Sequence, residues 1–514
     1  MPGELKHIVW PGAMTWATRA PIENAPIQAA RKLVNFWPHE GWVELRGGYR
    51  DIWTLPSDGS MFLPADNIDD DEAFVATNDA IYRIDLVDEN STPSLEKSGF
   101  TSGDWSYLNT QTPGGSFFLI ANGADPLHIY DGTNWRDTST DPTLQITGVD
   151  PSKLSHIWAF KTRVFAIEKN TLNAWYSDAG AIAGTYHQFP LTSVFSKGGH
   201  LVAGTTVTID AGSGLDDRCV FITSEGEIAI YEGTDPSDAS QWRLVGVYSS
   251  SPLLHKRAIW KSGGDVWLFT RDGILSLFAI IKEGLPVAKA GNQVAPIQDQ
   301  WRYLVTLPVW GTPWSINETP DHRFLTICPN TDEPGGFTLV LNIATGSLAE
   351  FRGWPLGDKI EKLGRLFCLN GTQIAEVNTT GKDGDTEFFG QICGSPQSGD
   401  DWRSKKLVQR IDARFQANAE VWPTLAVGVD GDCYDGGDTS QIGDFLNPDP
   451  IWDQAEWDVS YWGAAATIQQ QRGAAYGVNG LSLMPWFSVR SNQSQRLRLR
   501  INSLSVWYRE GSSL

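Results

Sequence analysis

The chain is short of the groups on which most recognisable chemistry is built. Its 514 residues include five cysteines, four methionines and eight histidines, and 40 basic side chains stand against 61 acidic ones. The cysteines, Cys219, Cys328, Cys368, Cys393 and Cys433, lie far apart, without the paired spacing of a zinc site or a redox motif. Such an odd, scattered set predicts reduced thiols. None of the histidines (His7, His39, His128, His156, His187, His200, His255, His322) falls in an HExxH pair, and the sequence has no Walker loop, no GxSxG elbow and no Cys/His nucleophile pattern. Asp and Glu are abundant enough to assemble a glycosidase pair, but no Asp-box of Ser, Asp, Gly and Trp singles out any two of them.

A formal charge of -21 excludes a strong grip on a phosphate backbone, which needs clustered Lys and Arg. No apolar run approaches the roughly 18 residues of a membrane span, and MPGELKHIVWPGAM lacks the charged and apolar regions of a signal peptide. These observations predict folding in a cytoplasm, without export or membrane insertion.

What the sequence does have is 23 Trp, 51 Gly and 28 Pro, a composition that favours strands joined by tight turns. Apolar residues come in strand-length runs bounded by Gly, Asn and Asp. Seven hairpins read this way, at 73–86, 116–130, 157–176, 219–233, from Asp265, from Arg323 and from Arg365. Their spacing of roughly 40 to 60 residues suits the blades of a propeller, in which each small sheet buries its faces against the next. Trp158, Trp175, Trp267 and Trp354 are candidates for that packing.

The expected fold is all-β: a β-propeller of six or seven blades over 56–394, a C-terminal β-sandwich over 395–514, and an N-terminal arm with a closing strand over 1–55, that strand placed at 41–48. Two helices are expected, at 25–37 with Pro26 in its first turn and at 296–305.

Few motifs carry chemistry. Asp210 to Asp217, DAGSGLDD, is either a calcium loop or a plain turn, and Gly212 and Gly214 remove expected ligands. Asp430, Asp432, Asp435 and Asp438 have no regular ligand spacing, and Asp69 to Glu72 reads as a solvated loop. No metal, cofactor or catalytic residue is assigned. Near the C-terminus Arg496, Arg498 and Arg500 alternate with Leu497, Leu499 and Ile501, placing three arginines on one strand face and three apolar residues on the other. That face either clamps an acidic neighbour or lies in solvent. Trp452, Trp457 and Trp462 are either core or contact surface.

Several phrases resemble the tail nozzle or hub proteins of short-tailed bacteriophages, also called packaged-DNA stabilisation proteins. They are APIENAPIQAARKLVNFWPHEGWVELRGGYRD near the N-terminus, FFLIANGADPLHIYDGTNW, TRVFAIEKNTLNAWYSD and the long segment 198–248 in the middle, and WDQAEWDVSYW and RLRLRINSLSVWYRE at the end. The resemblance implies a non-enzymatic virion protein, assembled in the host cytoplasm as a homo-oligomer, a ring of six copies in the tail. It would sit below the portal and adaptor, contact fibres or spikes, and pass genomic DNA without specific binding. An acidic, phosphate-repelling lining fits that role, because a wall that binds phosphates would hold the thread. Arg496, Arg498, Arg500, Trp452, Trp457 and Trp462 are the candidate subunit-interface residues. The alternative is a carbohydrate-active or glycan-binding propeller appendage.

Overall fold

The computed structural model describes residues 4–19, 25–210, 215–283, 291–306, 314–328, 336–434, 436–445, 467–475 and 477–513. All seven expected hairpins form. Six antiparallel sheets stand alone as blades of a β-propeller. Their innermost strands are Gly59–Leu63, Ser106–Thr112, Leu154–Phe160, Leu201–Asp210, Ile259–Ser262 and Lys359–Lys362, for blades one to six in that order. A further four-stranded meander, Ser315–Glu318, Phe324–Cys328, Thr338–Asn342 and Leu348–Phe351, occupies a blade position between blades five and six, but its sheet continues outward into other strands.

Apolar side chains fill the seams between blades, which is where burial of both sheet faces has to come from. Met61 and Phe74 of blade one pack with Trp105 and Phe118 of blade two. Leu119 and Ile129 meet Ile157 and Val164 of blade three, and Val220 and Ile228 of blade four meet Val266 and Leu268 of blade five. Trp158 is 5.6 Å from Phe221, across the seam between blades three and four. Gly204 makes that approach possible, since a Cβ there would sit 2.3 Å from the Trp158 indole.

The ring is closed by the N-terminal segment. Gly48–Thr54 pairs with Gln373–Thr380 as the outer strand of blade six. The closing strand is therefore not 41–48: Val43–Leu45 pairs instead with Phe36–Pro38 and with Leu499–Ser513. The change of partner happens at Gly47 and Gly48, where a Cβ on Gly48 would lie 1.7 Å from the Lys382 carbonyl oxygen.

The helix expected over 25–37 is absent; Ala29–Val34 and Phe36–Pro38 are strands. Ala30 and Leu33 are buried, but the strand lies between Phe388–Gly394 and the meander strand Leu348–Phe351, so tertiary hydrogen bonding overrides the helical spacing. Asn35, at φ 64°, then ends the run. The second helix is present as Gln298–Thr306, and its buried Trp301 donates Nε1–H to the Thr270 carbonyl at 3.0 Å. A helix at Leu277–Glu283 follows the second hairpin strand of blade five.

The strands of the C-terminal region do not stand apart from the rest of the chain. Phe388–Gly394, Leu483–Ser491 and Thr424–Val429 extend the meander's sheet through Ala29–Val34. Ser404–Ala417, Thr467–Ala474 and Leu499–Ser513 form a second sheet with Leu5–Pro11 and Val43–Leu45. Phe415 of one sheet meets Phe487 of the other edge to face at 6.1 Å. A disulfide joins Cys393 to Cys433, correcting the expectation of five free thiols; Cys219, Cys328 and Cys368 are free and buried.

Candidate functional site

The Arg496 to Ile501 alternation is realised as written: Leu497, Leu499 and Ile501 are buried, and Arg498 and Arg500 are exposed. Arg500 Nε donates to Glu44 Oε2 at 2.8 Å, and Arg496 Nη2 reaches Glu44 Oε1 at 3.4 Å. Arg496 and Arg500 thus hold an acid of their own chain. Trp452, Trp457 and Trp462 lie outside the described residues.

The register of the second sheet shows that these arginines belong to a larger face. Arg509 and Trp507 of the last strand lie opposite Leu407 and Arg410. Across the next pairing, Asp412 and Arg414 lie opposite Arg472 and Gln470. On the other flank, Leu5, His7 and Val9 lie opposite Arg509, Trp507 and Ser505. Trp507 stacks on His7 at 4.5 Å, receives the Arg410 guanidinium 4.3 Å from its ring centre and donates Nε1–H to Asp412 Oδ2 at 2.8 Å.

This face therefore gathers Arg410, Arg414, Arg472, Arg498, Arg500 and Arg509 around two carboxylates, Asp412 and Glu44, that are themselves nearly buried. Leu5, Val9, Leu407 and Ile468 expose 43, 42, 43 and 65% of their surface beside them. Aromatic, Arg and apolar side chains together are the composition of an interface centre. On a chain of charge -21 such a face is electrostatically unlike its surroundings.

The N-terminal motif read from the sequence is a junction. Arg46 is fully buried and makes a bidentate pair with Asp383, both contacts at 2.7 Å. Its remaining donors reach Asn35 Oδ1, the Gly47 carbonyl and the Arg352 carbonyl, and its plane lies 4.1 Å from the Phe388 ring centre. Asn35 Nδ2 donates to the Phe389 carbonyl, and Trp354 Nε1 to that of Gly47. Asn35, Arg46 and Gly47 thus lock the meander, blade six and the C-terminal strands together.

The third locus is the hub. Inner strands of all six blades and of the meander line one axial cavity of about 840 Å³. The segment before blade five, His255-Lys256-Arg257, reaches across its end. Lys256 Nζ is 3.1 Å from Asp104 Oδ2, and Arg257 approaches Met61 Sδ at 3.5 Å, Asp104 at 3.5 Å and Asp358 at 3.9 Å. Contacts to blades one, two and six thus cross the axis. Burial raises the Asp104 pKa, but His255, Lys256 and Arg257 together outweigh it and hold the carboxyl well below its usual range. Burial pushes His156 down to about 4. A cavity of this size, crossed by ion pairs, cannot thread a duplex whose major groove alone is about 12 Å wide.

Asp217, Asp430 and Asp438 accept hydrogen bonds from their own chain. Asp430 Oδ1 accepts from the Leu481 and Ser482 amides, Asp438 Oδ1 from the Ser440 amide, and Asp217 Oδ1 from the Thr208 hydroxyl. Asp435 and 211–214 lie outside the described residues. Among the described residues, no three His, Cys, Asp or Glu side chains are grouped to hold a metal ion, and no helix is long and apolar enough to cross a membrane. The signal for the hub that sequence reasoning passed over is His255-Lys256-Arg257, the one place where three such residues adjoin in this acidic chain.

The ring of meanders about one axis defines the class, a β-propeller. No family model matches the chain, and no curated protein matches it. Among solved structures it is similar to Raptor of Chaetomium thermophilum, at 12% identity and a TM-score of 0.40, over 65% of this chain and 29% of that one. It is similar to the β-propeller domain of Myceliophteria thermophila Cps50 (Swd1), at 13% identity and a TM-score of 0.40, over 65% of this chain and all of that one. Saccharomyces cerevisiae Sqt1 aligns at 11% identity and a TM-score of 0.35, over 63% and 82% of the two chains.

Proposed function

We propose that this chain is a structural subunit of a bacteriophage tail, the nozzle or hub ring below portal and adaptor, and that it works without catalysis. The observation that carries this reading is the basic, partly apolar face of the C-terminal sheet on an otherwise anionic protein. A ring needs two different, complementary patches on each subunit, and a face with six arginines opposed to acidic flanks of the next copy supplies the attraction and the register. Six copies are expected. DNA would run through the opening between subunits, not along the propeller axis, and the excess negative charge of the assembly would keep it from adhering. Loops outside the ring contact would meet fibres or spikes.

Negative-stain imaging of the purified chain at low salt tests this. Closed rings of six are expected; monomers at every protein and salt concentration tried, together with release of reducing sugar from bacterial polysaccharide, would overturn it in favour of a carbohydrate-active propeller.

A further inference from the structure

We propose that a second cavity, at the end of the propeller where the inner strands of blades three, four and five begin, binds the phosphate or carboxylate group of a small ligand. This cavity of about 310 Å³ is lined by Lys169, Lys256, His200, His255, Ser155 and Asn170, the rest of its wall being aliphatic. No carboxylate lines it, in a chain that carries 21 more acids than bases. Local charge of this sign, set in a concave wall, concentrates anions.

Lys169 and His200 supply the free donors, with Lys256 and His255 held beside them. Lys256 is fixed by Asp104 and by the carbonyls of Asp104 and Ser155, at 2.7 and 3.3 Å, so its charge stands at the rim without a search through rotamers. Burial lowers its pKa, and Asp104 opposes that shift. Lys169 Nζ uses one donor, to the Gly123 carbonyl at 3.0 Å, and among the described residues has two left. The His200 imidazole makes no hydrogen bond among the described residues. His255 Nδ1 accepts from the Arg257 amide at 3.2 Å, leaving Nε2–H directed at Asp104.

Arg257, the residue after Lys256, lines the axial cavity instead. Among the described residues its Nε and Nη2 have no hydrogen-bond acceptor, and its carboxylate contacts are the long ones to Asp104 and Asp358. Asp104 is shared among His255, Lys256 and Arg257.

The test is calorimetric titration of the full chain with sodium phosphate, sodium acetate and glycerol, with ionic strength held by sodium chloride. Saturable binding of phosphate, acetate or both is expected, weak and in the millimolar range, and none of glycerol. The double substitution Lys169→Met with His200→Gln should weaken it about tenfold or more while leaving the thermal midpoint of the unliganded protein unchanged, because neither side chain is part of the core. Lys97→Met, on blade one, should bind as the unaltered protein does. Absence of saturable phosphate and acetate binding up to about 50 mM, equal binding of glycerol, or undiminished affinity in the double variant would overturn the proposal.

Discussion

The propeller blades and the two C-terminal sheets solve the burial problem in opposite ways. Apart from blade six, whose outer strand Gly48–Thr54 comes from the N-terminal segment, each blade is made of neighbouring residues: blade two runs from Ser106 to Asp137 and blade four from Leu201 to Ser249. Its strands pair in chain order, and it needs only its neighbours to complete its seams. The C-terminal sheets draw strands from both ends of the chain, so Leu5 lies opposite Arg509 and Val34 opposite Gln391. Local pairing forms with little loop-closure cost, whereas these long-range pairings form only once the chain ends have been brought together. The outward basic face is therefore on the part of the molecule that depends most on completed folding.

The sharpest way to break this division is at the junction. Arg46→Ala leaves Asp383 buried without its partner and should destabilise the protein by about 3 to 5 kcal/mol, read from urea denaturation. Hydrogen exchange should then show Ser404–Ala417 and Leu499–Ser513 losing protection before blades two to four; uniform loss would erase the distinction between the regions. Cys433→Ser opens a loop of 40 residues and should cost about 2 to 4 kcal/mol, again in the C-terminal sheets, with a matching loss when the intact protein is reduced.

On the propeller side, Asp104 sets the pH response of the hub. Its native pKa lies below the unfolded value, so the stability it contributes is present above about pH 4 and is lost as acidification proceeds toward the native value. Asp104→Asn should flatten the fall in urea midpoint below about pH 4. An unchanged acid limb would show that the crossing ion pairs do not matter to the ring. The smallest effect belongs to Glu89, a half-exposed carboxylate that pairs with Arg50 and Arg365 where blade six closes; Glu89→Gln should cost about 1 kcal/mol or less and less still in high salt.

The same division decides what could be read from the sequence. The hairpins were legible because both strands and the turn lie within one window, as in Ala73 to Leu86, where Asn78 and Asp79 form the turn between paired strands. The alternation at Arg496 to Ile501 was legible for the same reason. Residues 25–37 were misread because Ile27, Ala30, Leu33 and Val34 fit a helical face equally well, and only the distant strand Phe388–Gly394 decides between the two forms. The pairing of Cys393 with Cys433 and of Arg46 with Asp383 leaves no local trace. At the hub, the basic triplet carries a charge pattern, but its meaning depends on Asp104 and Asp358, which only ring closure brings near.

Sedimentation velocity across a salt series, on the unaltered chain and on a variant carrying Arg410→Glu, Arg414→Glu and Arg472→Glu, tests the central claim most directly. The account predicts a ring-sized species at low salt for the unaltered chain, dissociating as salt rises, and a monomer at all salt concentrations for the variant. Identical profiles for the two proteins, whether both assembled or both monomeric, would contradict it.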